Sequence, residues 1–288
     1  MEIKQFNSIE AAKILGVNVS TIKRWTEEGK LECIKTAGGH RKFLMAHLGD
    51  YVKKYNHDAV KVHLFPLEDE NDLEISYHIV KGDFNVLIDH VIRRALESKL
   101  DKVQQVLNGL YLADYPLYEI YDRLVTPALH RFGEMWVGGD LSIIEEHFGS
   151  QTIRDSIIRL QGIIKIPAEK TGRAICLNLS GELHDIALRM AANILELKGY
   201  QVYFSGQYTS ATKVEQGFER FKPQRLYISS TWIENVPQTQ EEMNRILEVC
   251  EQHGVDVYLG GQAIQLLQIE HPRIKNYLRS FQEAYFTA

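Results

Sequence analysis

The sequence predicts a multidomain chain in three parts: a small helical module with a hairpin, a four-helix bundle, and a doubly wound parallel α/β sheet. Three observations carry this reading. Two short helical runs, each set between a polar cap and a glycine, open the chain and lead into a Gly-Gly turn. Four longer runs with apolar residues at helical spacing fill the middle. From Arg173 onward, strand-like apolar runs alternate with helical ones. A length of 288 residues suits two or three domains. A hydrophobic fraction of 44% with 25% charged residues is that of a folded chain rather than a disordered one.

Residues 1–57 are read as the first domain. Ser8 caps a helix over Ile9–Leu15 that Gly16 ends, and Asn18 caps a second over Val19–Glu28 that Gly29 ends. Leu31–Ile34 and Arg41–Phe43 are candidate strands, joined by a loop carrying Gly38-Gly39, which a tight hairpin wants. A third helix follows over Met45–Tyr55. Residues 58–80 have no clean period, contain Pro66, and carry five acidic residues between Glu68 and Glu74, which reads as a linker.

Residues 81–168 form the bundle in this reading, with helices over Phe84–Leu96, Val103–Leu112, Leu117–Trp136 and Leu141–Ile164. Residues 169–288 form the α/β domain. Its strands are expected at Ala174–Leu179, Gln201–Phe204, Arg225–Ile228 and Val255–Leu259. Its helices are expected at Ile186–Lys198, Thr212–Phe221 and Gln240–His253. A last helix over Ala263–Leu278 leaves room for at most an abbreviated fifth strand. Parallel sheets of this kind bind ligands beyond the carboxyl ends of their strands.

No apolar run approaches the ~20 residues that a membrane helix needs. The start, Met1 to Phe6, lacks the apolar core of a signal peptide. Cys33, Cys176 and Cys250 are scattered and form no disulfide framework, so a reducing cytoplasm is the expected location. The net charge of −5 hides an asymmetry. Residues 1–57 hold ten Lys and Arg against six Asp and Glu, while the remainder holds 23 against 32. A basic head on an acidic body points to a polyanion partner at one end.

The second predicted helix opens with hydroxyl, amide and cationic side chains on one face, while Ile22 and Trp25 turn to the core. Helix-turn-helix proteins present such first turns to the major groove. Thr21, Lys23 and Arg24 are therefore candidates for base-edge and phosphate contacts with double-stranded operator DNA, and His40, Arg41 and Lys42 for gripping the backbone from the hairpin. The stretch from Ser8-Ile9-Glu10-Ala11-Ala12 through Thr36-Ala37-Gly38-Gly39-His40-Arg41-Lys42-Phe43 resembles the winged helix-turn-helix of MerR-type regulators.

A second set of signatures lies in the α/β part. Glu182-Leu183-His184-Asp185-Ile186-Ala187 is followed after 41 residues by Ser229-Ser230-Thr231 and after 28 more by Gly260-Gly261. A histidine just past a parallel strand can hold a metal through one ring nitrogen if a partner fixes the other, and Glu182 is placed to do so, with Asp185 the alternative. The layout closely resembles the cobalamin-binding pattern Asp-x-His-x-x-Gly, Ser-x-Leu, Gly-Gly of corrinoid proteins. That resemblance implies that His184 ligates cobalt from below and that the displaced nucleotide tail drops into a slot between sheet and helices. Ser229 and Thr231 then bond the tail, and Gly260 and Gly261 let backbone approach it. Ala187 stands where the pattern has Gly, and Thr231 where it has Leu.

In the bundle, Trp136, nine intervening residues and Glu146-His147 reproduce the Trp-x9-Glu-His signature of CarH/LitR-type photoreceptor regulators, which share this order of domains. The resemblance implies that Trp136 covers the upper face of adenosylcobalamin and that Glu146 and His147 enclose its adenosyl group. It also implies a dark homo-oligomer, a tetramer, that releases DNA when light breaks the cobalt–carbon bond, the protein being a repressor and not an enzyme. Members that lock their illuminated state place a histidine directly after the Trp, and this chain has Val137. The alternatives are a light-independent cobalamin sensor, a cobalamin-free regulator controlled by a protein antagonist, and a corrinoid methyl-transfer protein.

Overall fold

The structure is a computed structural model describing residues 5–15, 17–36, 38–55, 75, 78–79, 81–206 and 211–288. The chain divides into two compact units, Met1–Ile164 and Lys165–Ala288.

The first unit opens with strand β1 (Phe6–Asn7), helix α1 (Ser8–Ile14), α2 (Val19–Glu27), β2 (Ile34–Lys35), β3 (Arg41–Phe43) and α3 (Met45–Tyr55). The cap of α1 is Asn7 rather than Ser8. Asn7 Oδ1 accepts from the Ile9 and Glu10 amides at 2.9 and 3.0 Å, and Glu10 Oε2 accepts from the Asn7 amide at 2.7 Å, a reciprocal arrangement that moves the helix start back by one residue. Asn18 occupies the N-cap position of α2, but its side chain makes no capping bond. The predicted stop at Gly16 lies outside the described residues. β3 is the centre of a small antiparallel sheet, pairing with β1 (Phe6 opposite Phe43) and β2 (Ile34 opposite Lys42). β1 was not expected, and the first predicted strand begins later, because Leu31 packs into the core instead. Phe6, Leu15, Ile22, Leu31, Phe43 and Leu48 make that core. Trp25 stacks on Tyr51 with ring centroids 4.4 Å apart.

Of the predicted linker 58–80, only Ile75, His78 and Ile79 are among the described residues. The bundle follows as α4 (Phe84–Leu96), α5 (Leu100–Leu112), α6 (Leu117–Ile120), a π turn (Tyr121–Val125), α7 (Thr126–Gly138) and α8 (Ile143–Leu160). Alternation at helical spacing produces one buried stripe per helix: Leu87 and Val91, Val106 and Leu110, Ala128 and Phe132, Ile153 and Ile157. From Leu117 to Gly138 the chain is one continuous rod with the π turn inside it. Pro127 explains its position, since proline offers no amide proton and its ring crowds the carbonyl one turn back. Helix α8 starts with a capping box in which the Ser142 amide donates to Glu145 Oε2 at 2.8 Å and the Glu145 amide returns to Ser142 Oγ.

The second unit is a doubly wound α/β domain. Strands β4 (Gly172–Asn178), β5 (Tyr200–Gly206), β6 (Arg225–Ser229), β7 (Asp256–Gly260) and β8 (Ile274–Leu278) form one parallel sheet in the order β5-β4-β6-β7-β8. Helices α9 (Ile186–Leu197), α10 (Ala211–Phe221), α11 (Val236–His253) and α12 (Phe281–Thr287) cover it. Period-two alternation sorts the sheet into two faces. Ile175, Leu177, Leu226, Ile228, Val257 and Leu259 pack with α10 and α11. Ala174, Cys176, Tyr227 and Tyr258 pack with α9. The predicted helix over Ala263–Leu278 is a 3-10 turn (Gln262–Leu266) and then the full fifth strand β8. Pro272 breaks any helix there, and Ile274, Asn276 and Leu278 alternate inward with period two. Because β5 and β6 flank β4, the winding reverses at the carboxyl end of β4, which is where a ligand crevice belongs. Among the described residues no helix is long and apolar enough to cross a membrane.

Candidate functional site

The first signature occupies the loop that leaves β4 at that reversal. Glu182 is 1% exposed, while the His184 ring is 63% exposed. Glu182 Oε1 accepts from the His184 amide at 2.8 Å and lies 2.6 Å from His184 Nδ1. Its other oxygen accepts from the Trp232 amide at 2.8 Å and from the Thr231 amide, with the Ser230 hydroxyl at 3.5 Å. Burial pushes the Glu182 carboxyl up, but the hydrogen bonds from the His184 ring and the Trp232, His184 and Thr231 amides outweigh it and hold the group below the usual carboxylate range. Glu182 thus remains an anion with almost no water around it, and it holds the imidazole through Nδ1. Asp185 binds Arg189 at 2.7 Å, and Arg189 lies over the Phe204 ring.

Two residues of this site were missed in the sequence. Asn178, the last residue of β4, is fully buried and donates through Nδ2 to the His184 carbonyl at 3.1 Å, while its Oδ1 is buried with no hydrogen-bond partner. The signal for it was a polar residue closing an otherwise apolar strand. Trp232, held through its amide by Glu182, leaves its indole 63% exposed. No spacing rule marks it.

The second and third signatures stand on the adjoining strand ends. Asn178, Ser229 and Gly260 are register partners across β4, β6 and β7, so they form one row on the α9 face of the sheet. Ser229 is buried and Thr231 half-buried. The two glycines differ. A Cβ on Gly261, whose φ is +87°, would sit 2.7 Å from the Ser230 nitrogen and closer still to its carbonyl, so the fold itself requires glycine there. A Cβ on Gly260 would meet nothing nearer than the Leu278 carbonyl oxygen at 3.8 Å. Packing does not explain Gly260, whereas a ligand against the strand end would. Ala187 sits in the first turn of α9, half-buried.

In the first unit, Trp136 is 48% exposed at the end of α7, next to an exposed Val137. Glu146 accepts from the Ser150 hydroxyl, and its Oε2 lies 3.7 Å from Nε2 of an exposed His147. Ile143, Ile144 and Phe148 on the same stretch of α8 are exposed as well. In the head, Lys23, Arg24 and His40 are exposed, and Thr21 and Lys42 half-buried. Arg41 is engaged elsewhere: it pairs with Glu27 at 2.9 Å, tying the hairpin to α2.

Comparison with known proteins joins these parts. Residues 8–43 match the MerR family regulatory protein model. Residues 172–275 and, separately, 74–161 match models of B12 binding domains. The HTH-type transcriptional repressor CarH of Myxococcus xanthus is 23% identical over 88% of this chain and 87% of its own length. These matches together support a CarH-type cobalamin-binding MerR regulator. This CarH-type order explains why one polypeptide carries both a basic head and a histidine loop at a sheet reversal. The monomethylamine corrinoid protein of Methanosarcina barkeri, with a TM-score of 0.58 at 15% identity over 70% of this chain and 97% of its own, shares the fold.

Proposed function

We propose that the protein is a DNA-binding transcriptional repressor, not an enzyme, that uses adenosylcobalamin as a light-sensing ligand. The observation that carries this is the His184 ring, oriented by a buried Glu182 anion at the sheet's reversal point, on a chain that begins with a MerR head. Among the described residues no three His, Cys, Asp or Glu gather to cage a metal. One well-oriented imidazole suits a metal that arrives already held in a macrocycle. When bound, adenosylcobalamin supplies a cobalt–carbon bond that light breaks.

His184 would hold the cobalt through its imidazole, with Glu182 fixing its tautomer. Ser229, Thr231, Gly260 and Gly261 contact the ligand at the strand ends. Trp136 would stack its flat face on the adenosyl group, and Glu146 and His147 would hydrogen-bond to it. Thr21, Lys23, Arg24, His40 and Lys42 meet operator DNA, while Arg41 holds the hairpin in place for them. Several heads in a dark tetramer raise avidity well above one head's affinity. Illumination then changes the oligomer and releases DNA, which requires that the two ligand states stabilise different packings. The cytoplasm is the site of action.

Gel-shift titration of protein loaded in the dark, with and without green light, tests this directly. Binding is expected to fall on illumination, and identical curves would defeat the light-sensing claim. Lys23→Ala is expected to weaken binding to all sequences alike and to lower the log–log salt slope by about 1. A base-selective loss with an unchanged slope would instead make Lys23 a base reader. Val137 favours a second reading, a light-independent corrinoid sensor, because valine cannot ligate cobalt. That reading predicts corrinoid-dependent, light-independent gel shifts.

A further inference from the structure

The α9 face of the sheet has a regular grid of side chains beneath the ligand crevice. The row at the strand ends is Asn178, Ser229 and Gly260. The next row down, two residues earlier on each strand, is Cys176, Tyr227 and Tyr258. It lies ~7 Å deeper, from the rise of a strand. The top row is made of small or polar groups, with the Asn178 Oδ1 buried and unbonded and no Cβ at Gly260. The second row is the opposite. Tyr227 and Tyr258 are 2% and 7% exposed and stack face to face, with ring centroids 4.7 Å apart and planes 9° apart.

This pair is braced from beneath. Arg225 Nη1 donates to the Tyr227 hydroxyl at 3.3 Å and to the Thr287 carbonyl at 2.6 Å, and its guanidinium lies against the Tyr258 and Tyr200 rings. Leu188, Ala192 and Leu195 of α9 complete the same cluster. A rotamer change in either tyrosine would break the stack and strip Arg225 of a partner. The space between sheet and α9 therefore ends one row below the strand ends.

We propose that the Tyr227–Tyr258 stack is a floor that makes this ligand slot shallow. The site then takes a corrinoid by its ring and amide-bearing rim and gains nothing from a nucleotide base that must enter between sheet and helix. This rests on the reading that a corrinoid binds at His184.

The test is an absorbance titration of full-length protein in the dark with adenosylcobalamin and with adenosylcobinamide, which lacks the nucleotide tail. Wild type is expected to bind the two with equal affinity, within about threefold. Tyr227→Gly is expected to tighten adenosylcobalamin binding by about tenfold or more and to leave adenosylcobinamide unchanged. Tyr227→Phe keeps the ring and should behave as wild type, so a Gly variant that fails to fold does not remove the comparison. Wild type preferring adenosylcobalamin by about tenfold, or a folded Gly variant identical to wild type, overturns the floor while leaving the corrinoid reading intact. Retention of neither compound by any of the three proteins overturns both.

Discussion

Glu182→Ala is expected to lose about 2–4 kcal/mol of stability and 10–100-fold in corrinoid affinity together, because one carboxylate serves two loops. It accepts from the His184 ring and amide in the β4 loop and from the Thr231 and Trp232 amides in the β6 loop. Removing it strands those donors and frees the imidazole to rotate. Glu182→Gln is nearly the same shape but presents an NH2 group to donors on one side, so it should fall between alanine and wild type. The pH dependence follows from the direction of the shift. The folded carboxyl ionises below the ordinary value of 4.5, so its stabilisation is fully present above that value and is lost as pH falls through the folded pKa. Denaturant melts across pH 3–7 and absorbance titration check both. An Ala variant whose acid limb matches wild type, or that binds corrinoid normally with His184→Ala as the non-binding control, would refute this role for Glu182.

Gly261→Ala and Gly260→Ala are expected to separate folding from binding. At Gly261 a methyl group would collide with the Ser230 backbone in a left-handed conformation, and about 2–4 kcal/mol of stability should be lost. At Gly260 the methyl group has room, so stability should stay within about 1 kcal/mol of wild type. Gly260→Ala should nonetheless weaken corrinoid binding, since the added carbon projects into the Asn178–Ser229 row. Thermal melts and ligand titrations of the two variants should therefore rank them in opposite order. Equal destabilisation by both would mean that Gly260 is also a packing requirement.

Much of this was legible in the sequence, and the reasons differ by element. The bundle helices show a strong helical period, and the first four strands of the α/β sheet stand out as apolar runs between helical ones; both patterns report burial directly. The fifth strand of that sheet was hidden because Ala263, Ile264, Leu266 and Leu267 sit at helical spacing just before it, although Pro272 was the contrary signal. Asn7 was passed over as a cap because Ser8 is equally good chemistry one position later. In the site, the Glu182–His184 pairing followed from two-residue spacing within one loop. Links between loops could not be read so easily. Nothing in the chain's order says that Trp232 shares a carboxylate with His184, or that Tyr227 lies beside Tyr258. Those depend on strand register, which only the folded sheet defines.

The π turn at Tyr121–Val125 has a consequence for how this chain aims Trp136. A helix advances about 100° per residue, so one extra residue in a turn swings every later side chain by about that azimuth. The stem from Leu117 keeps its own seat while the indole beyond the insertion is re-pointed. Excising a single residue there would leave a rod of nearly the same length whose tryptophan looked in another direction.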